Sequence, residues 1–318
     1  MKKLSFVIPC YRSEHTIERV IEEIKFVVAQ RTEYDYEIIA VNDCSPDEVY
    51  SVLRQMAAGD PKIKVINFAK NMGKHAAVLA GYAVAKGEYI VNLDDDLPCP
   101  VNELWKLVEP LENEGYDIVT AEYIQKRESC LKRMGSQLNS WMSKMMLEKP
   151  RGMRLENFNV MKAYVAKEII KYKNPYPYLE GLILQITHSV KMVLMDERER
   201  GDDNTTGFTL RKSILLFING LTSFSVKPLR IGTIMGFLFS FIGFIVGLAV
   251  VIKKIINPQI VMGWTSVTAI MLFSTGMILL MLGLIGEYVG RIYICINASA
   301  QYVVKETINI EKHRGDNE

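Results

Sequence analysis

The sequence predicts an α/β domain built on a parallel sheet, followed by a two-helix membrane hairpin. Three observations predict it. Short apolar runs rich in β-formers alternate with segments of helical periodicity, the spacing of βαβ units. Aspartates collect where those runs end, and in parallel sheets ligands bind at the carboxyl ends of strands. Two long charge-free apolar runs stand near the C-terminus.

The elements follow in order. Leu4–Pro9 (LSFVIP) reads as a buried strand. Thr16 to Gln30 is helical, with Ile17, Val20, Ile21, Ile24 and Val28 on one face. Tyr36–Val41 is a second strand, ending at Asn42 and Asp43. Ser45-Pro46-Asp47-Glu48 predicts a helix capped by Ser45, with proline at its first position. Lys62–Phe68 is a third strand, Gly73 to Ala85 a helix of small residues, and Glu88–Leu93 a fourth strand. Asp117–Ala121 adds another β-rich run. Arg127 to Leu147 is basic at its start and methionine-rich later, which suits an interfacial helix and equally a core-packed one. Arg211 to Val226 is amphipathic and feeds directly into the first apolar run, so it is expected at a membrane interface.

That first run, Ile231–Ile252, has about 22 residues, roughly 33 Å of helix against a hydrocarbon core of about 30 Å. Gly263–Gly286 is the second, joined to the first by a short link containing Lys253 and Lys254. Lys227 and Arg230 precede the pair, and Arg291, Lys305, Lys312 and Arg314 follow it, which predicts both termini in the cytoplasm. The expected division is a cytosolic domain over 1–210, an interfacial helix over 211–228, the hairpin over 229–287 and a cytosolic tail over 288–318. The apolar stretch after Met1 ends by Pro9, too short for a signal peptide. Five cysteines (Cys10, Cys44, Cys99, Cys130, Cys295) without CxxC spacing suit a reducing compartment. A net charge of +2 gives no pull toward nucleic acid.

The stretch VNLDDDLPCP at 91–100 carries the chemistry. Asp94, Asp95 and Asp96 adjoin at a strand end, where like charges are costly unless a cation sits on them. Asp94 and Asp96 are candidate ligands for Mg²⁺ or Mn²⁺, which prefer oxygen and take few protein carboxylates when phosphates complete the shell. Asp43 ends a neighbouring strand. Lys70-Asn71-Met72-Gly73-Lys74-His75 fails as a phosphate loop, because Phe68 stands at its first glycine position, but Lys74 can put a positive charge near a nucleotide. Gln137-Leu138-Asn139-Ser140-Trp141 lacks the arginine of a QxxRW signature. The four histidines show no zinc spacing.

Taken together, VIPCY at 7–11, EIIAVNDCSPD at 37–47, NMGKHAAVLAGYAVAKGEYIVNLDDD at 71–96, LKRMGS at 131–136 and LTSFSVKPLR at 221–230 resemble family 2 glycosyltransferases of GT-A (Rossmann-like) fold. They look most like the polyprenyl-phosphate sugar transferases related to dolichol-phosphate mannose synthase, in their bacterial undecaprenyl-phosphate branch. The resemblance implies a metal-dependent, inverting transfer from a nucleotide-sugar, a UDP-sugar or another NDP-sugar, to undecaprenyl phosphate at the bacterial cytoplasmic membrane, serving cell-envelope glycan modification. It implies that Pro9, Tyr11, Glu14, Asp43, Lys74 and Asp94 line the nucleotide pocket. Asp94 and Asp96 would bind metal, and Arg127, Lys132, Arg133 and Ser136 would receive the acceptor phosphate. It also implies a homo-oligomer, a tetramer in the family. The sequence departs from the pattern at Cys99, Tyr123 and Asn157, and its Asn204–Phe208 loop lacks a lysine. Two rival classes stay open: a transferase extending a lipid-linked glycan, and a catalytically silent partner subunit.

Overall fold

The computed structural model describes residues 1–96, 100–123, 155–174, 177–195, 227–256, 263–297 and 300–311. The chain forms two units, Met1–Gly207 with Ala298–Glu318, and Phe208–Asn297. The first unit holds one eight-stranded sheet. Its strands are β1 (Lys2–Cys10), β2 (Tyr34–Asn42), β3 (Ile63–Phe68), β4 (Tyr89–Asn92), β5 (Ile118–Tyr123), β6 (Asn159–Lys162), β7 (Val190–Met195) and β8 (Val304–Ile308). They lie in the order β7-β5-β6-β4-β1-β2-β3-β8.

The four strands expected at the N-terminus form the parallel centre, β4-β1-β2-β3. The helices that join them are α1 (Ile17–Ala29), α2 (Val49–Gly59) and α3 (Lys74–Val84). α4 (Leu104–Asn113), α5 (Ala163–Ile169) and α6 (Leu179–Ile186) follow. The apolar face foreseen for α1 is buried: Ile17, Val20, Ile21, Ile24 and Val28. It faces a core that includes Phe6, Ile8, Ile38 and Ala40. α3 packs close on β1 because Gly81 has no side chain, since a Cβ there would stand 2.3 Å from Val7 Cγ1.

Three features differ from the sequence reading. The sheet is mixed, because β6 runs antiparallel between β4 and β5, and β8 runs antiparallel beside β3. Residues distant in sequence supply both strands, so no βαβ spacing announces them. α2 begins at Val49, not at Pro46. Asp47 is held outside the helix, where its carboxylate accepts Ser45 Oγ at 2.5 Å and the Glu14 N–H at 3.0 Å. The segment after the hairpin is not only a tail. β8 covers the edge of β3, Tyr302 stacks on Phe68 with centroids 5.4 Å apart, and Asn309 Nδ2 donates to Ala57 O at 2.7 Å and Ile63 O at 2.9 Å.

The second unit contains α7 (Lys227–Ile256) and α8 (Trp264–Ile296). Both expected apolar runs are helical. Among the described residues, Phe273–Ile296 is long and apolar enough to cross a membrane, and Gly232–Ile245 is a shorter apolar stretch. So one candidate span stands where two were expected. Phe237, Phe244, Met271 and Leu279 face outward, an apolar surface of the kind that needs a cover. The expected interfacial helices over 127–147 and 211–226 lie outside the described residues.

Candidate functional site

The carboxyl ends of β1, β2 and β4 converge, as a parallel centre requires, and the loops that leave them are unusual. Arg12 after β1 and Cys44 after β2 both hold positive φ, at 60° and 51°. Gly73, which caps α3, has φ 88°. Non-glycine residues rarely take this conformation, and they concentrate where loops serve a site.

Asp43 is 4% exposed. Its two carboxylate oxygens accept the Met72 N–H at 2.6 Å and the Gly73 N–H at 2.8 Å. Burial pushes its carboxyl above the ordinary value, and these amides pull it part of the way back. Asp43 therefore shapes the turn that starts α3, leaving a second lone pair on each oxygen for a ligand.

The three aspartates after β4 divide the work. Asp94 receives the Lys74 ammonium on Oδ1 and the Asn157 amide on Oδ2 at 2.8 Å. Asp95 turns back onto the β1 loop, where its Oδ2 accepts the Tyr11 N–H at 2.9 Å and its carbonyl accepts Thr16 Oγ1 at 2.7 Å. Burial, with Asp94 and Asp96 on either side, pushes the Asp95 carboxyl up to about 6 even though the Tyr11 amide favours its charged form. No group of three or more acidic, histidine or cysteine side chains forms a complete metal cage among the described residues. Two half-buried carboxylates one residue apart, Asp94 and Asp96, fit Mg²⁺ or Mn²⁺ whose remaining ligands come from phosphate oxygens.

Pro9 is buried in β1, beyond the last β4 pair at Val7–Asn92, so its missing N–H costs no ladder bond there. Tyr11 is 44% exposed beside the aspartates. Glu14 serves the scaffold, because its Oε2 accepts the Glu48 N–H at 2.8 Å, at the start of α2. Arg127, Lys132, Arg133 and Ser136 lie outside the described residues.

Comparison with known proteins decides the class. The profile of glycosyl transferase family 2 matches residues 5–166, and that of the GtrB C-terminal hairpin matches 227–292. The chain belongs to glycosyl transferase family 2. It is an enzyme of that family, with a GT-A sheet. This glycosyltransferase is 32% identical to the uncharacterized glycosyltransferase YkcC of Bacillus subtilis, covering 98% of the chain and 95% of the relative. It is 29% identical to a prophage bactoprenol glucosyl transferase homolog of Escherichia coli, covering 95% of the chain and 98% of that protein. It is 28% identical to the undecaprenyl-phosphate 4-deoxy-4-formamido-L-arabinose transferase of Proteus mirabilis, covering 98% and 96%.

The sequence marked Asn157 only as a departure, yet the fold brings it onto Asp94. Antiparallel β6 pairs Asn159 with Asn92, next to the aspartates. Asn92 Nδ2 donates to Asn159 Oδ1 at 2.7 Å, and Asn159 Nδ2 donates to Glu156 O at 2.7 Å. An asparagine at the end of the β4 run was the signal available, and its partner lies 67 residues away.

Proposed function

We propose that this glycosyltransferase moves a sugar from a UDP-sugar to undecaprenyl phosphate, with inversion, on the cytosolic face of a bacterial membrane. The observation that carries the reading is the run of three carboxylates, Asp94–Asp96, just past β4 at the carboxyl edge of the parallel centre, with Lys74 at the start of α3 reaching Asp94. The relatives' names and the hairpin match support the lipid acceptor.

A lipid phosphate monoester has a second pKa near 6 and is mostly dianionic at neutral pH. One of its oxygens attacks the anomeric carbon, the bond from that carbon to the diphosphate oxygen breaks, and the nucleoside diphosphate leaves with the electron pair. No base is needed, which agrees with an amide, Asn157, beside Asp94. Asp94 and Asp96 would hold Mg²⁺ or Mn²⁺, which when bound supplies charge neutralisation at the leaving diphosphate. Lys74 adds a positive charge at the start of α3. Pro9, Tyr11 and Asp43 would line the nucleotide, and Arg127, Lys132, Arg133 and Ser136 the acceptor phosphate.

Membrane topology follows the same reading. The sheet takes strands from both sides of Phe208–Asn297, since β8 pairs with β3. A chain that leaves a sheet and returns to it crosses any bilayer an even number of times. This favours two crossings, by α7 and α8, with both termini on the catalytic side. A panel of labelled nucleotide-sugars, with undecaprenyl phosphate and the full chain in detergent, tests the activity. Label should enter the organic phase with a UDP-sugar and stop doing so after chelation. Label that no donor carries into that phase would overturn the assignment.

A further inference from the structure

Lysine is an unexpected first residue for α3. The N-terminal turn of a helix favours negative charge, and a cation there opposes the helix dipole. A local conflict of this kind is expected where function demands it. Lys74 resolves it by reaching across to Asp94 Oδ1.

The two partners of Asp94 differ in how firmly they are held. Asn157 sits on a loop tied by Asn159, whose amide donates to Glu156 O at 2.7 Å, and Asn159 is tied in turn to Asn92 in β4. Lys74 is anchored only at its root. Its backbone follows Gly73, which Asp43 pins through the Gly73 N–H at 2.8 Å. Its side chain is 41% exposed at the end of a flexible stem. Both oxygens of Asp94 are therefore occupied, one by a fixed neutral amide and one by a mobile cation.

Resting on the proposed metal-dependent transfer, we propose that Lys74 is the counter-ion of Asp94 in the metal-free enzyme. A divalent cation must displace it, and the freed ammonium then serves the diphosphate of the donor. Two consequences follow. The cation alone binds weakly, because it competes with an internal charge. Cation and diphosphate bind cooperatively, because the diphosphate accepts the lysine that the cation expels, and this coupling is reciprocal.

The test is a titration of Mn²⁺ into the full chain in detergent, with free Mn²⁺ read by electron paramagnetic resonance, with and without UDP. Lys74→Ala should bind Mn²⁺ alone about tenfold more tightly than the native chain, the scale of one screened unit charge a few ångströms away. UDP should tighten Mn²⁺ binding strongly in the native chain and much less in Lys74→Ala. Lys74→Arg, which keeps the charge, should stay close to native and shows that the effect is not a folding defect. Equal or weaker Mn²⁺ binding by Lys74→Ala, in a chain that binds Mn²⁺, would overturn the exchange and leave the metal-dependent transfer standing. No Mn²⁺ binding by any of the three, with UDP present, would overturn both.

Discussion

Two groups of carboxylates on one sheet contrast a charge enclosed by its donors with a cluster of like charges at a strand end. Glu37, within β2, is 1% exposed. Its Oε1 accepts Ser5 Oγ and the Lys86 N–H, both at 2.6 Å. Its Oε2 faces Lys64 at 2.7 Å and Lys3 at 3.1 Å. Burial works against the charge, but these donors outweigh it and hold the carboxyl down to about 2. Asp95, just past β4, is half-buried with amide help and acidic neighbours, and burial pushes its carboxyl up to about 6. A buried carboxylate that completes its own shell is part of the scaffold. A cluster of adjoining carboxylates at a strand end is the arrangement proposed above to take a cation.

The largest effect expected from this contrast is on turnover. Asp96→Ala should cost roughly a thousandfold in rate, about 4 kcal/mol of transition-state stabilisation, with little loss of stability. Initial rates and urea unfolding on the same preparation check both halves. A variant that lost stability along with activity would erase the distinction.

The reverse result is expected at Glu37. Its removal leaves Lys64 and Lys3 facing a buried site, so Glu37→Ala should lose about 3 kcal/mol of stability. Any activity that survives folding should keep a native affinity for donor. Glu37→Gln sharpens the comparison through pH. A depressed pKa contributes stability that is present above the unfolded value and is lost as pH falls through the folded one. The gap between the native chain and Glu37→Gln should therefore close between pH 4.5 and about 2. By the linkage relation it spans about 3 kcal/mol. A gap unchanged across that range would mean that Glu37 is not held charged by its lysines.

The contrast also explains what the sequence could reveal. The parallel centre was legible because each β-run there is followed by an amphipathic or small-residue helix, and α1 displays its buried face in its spacing. The position of the aspartates past a buried strand was legible because an apolar run leads into them. Three things were hidden. β6 and β8 run antiparallel and come from remote segments, so only tertiary pairing defines them. Asn157 reaches Asp94 through that pairing. Glu37 looked like one polar residue in a strand, since the lysines that make it structural come from β1 and β3.

The smallest effect concerns Asp95, which stands between the two classes. It belongs to the site by position, yet it does scaffold work by receiving the Tyr11 N–H. Its charge is what the flanking aspartates oppose, and its acceptor oxygen is what the β1 loop needs. Asparagine separates the two, because it keeps an oxygen acceptor and drops the charge. In the absence of divalent metal, Asp95→Asn should therefore gain about 1 kcal/mol of stability, since it relieves like-charge repulsion without leaving the Tyr11 amide unpaired. Asp95→Ala removes the acceptor as well and should lose about 1 kcal/mol, the ordinary net worth of a hydrogen bond. Unfolding curves in chelator read both values. Repeating them with Mn²⁺ adds the deciding measurement, because a cation that offsets the repulsion should shrink the advantage of Asp95→Asn. If asparagine and alanine behaved alike, the Tyr11 contact would carry nothing, and Asp95 would belong with Asp94 and Asp96 rather than between them and Glu37.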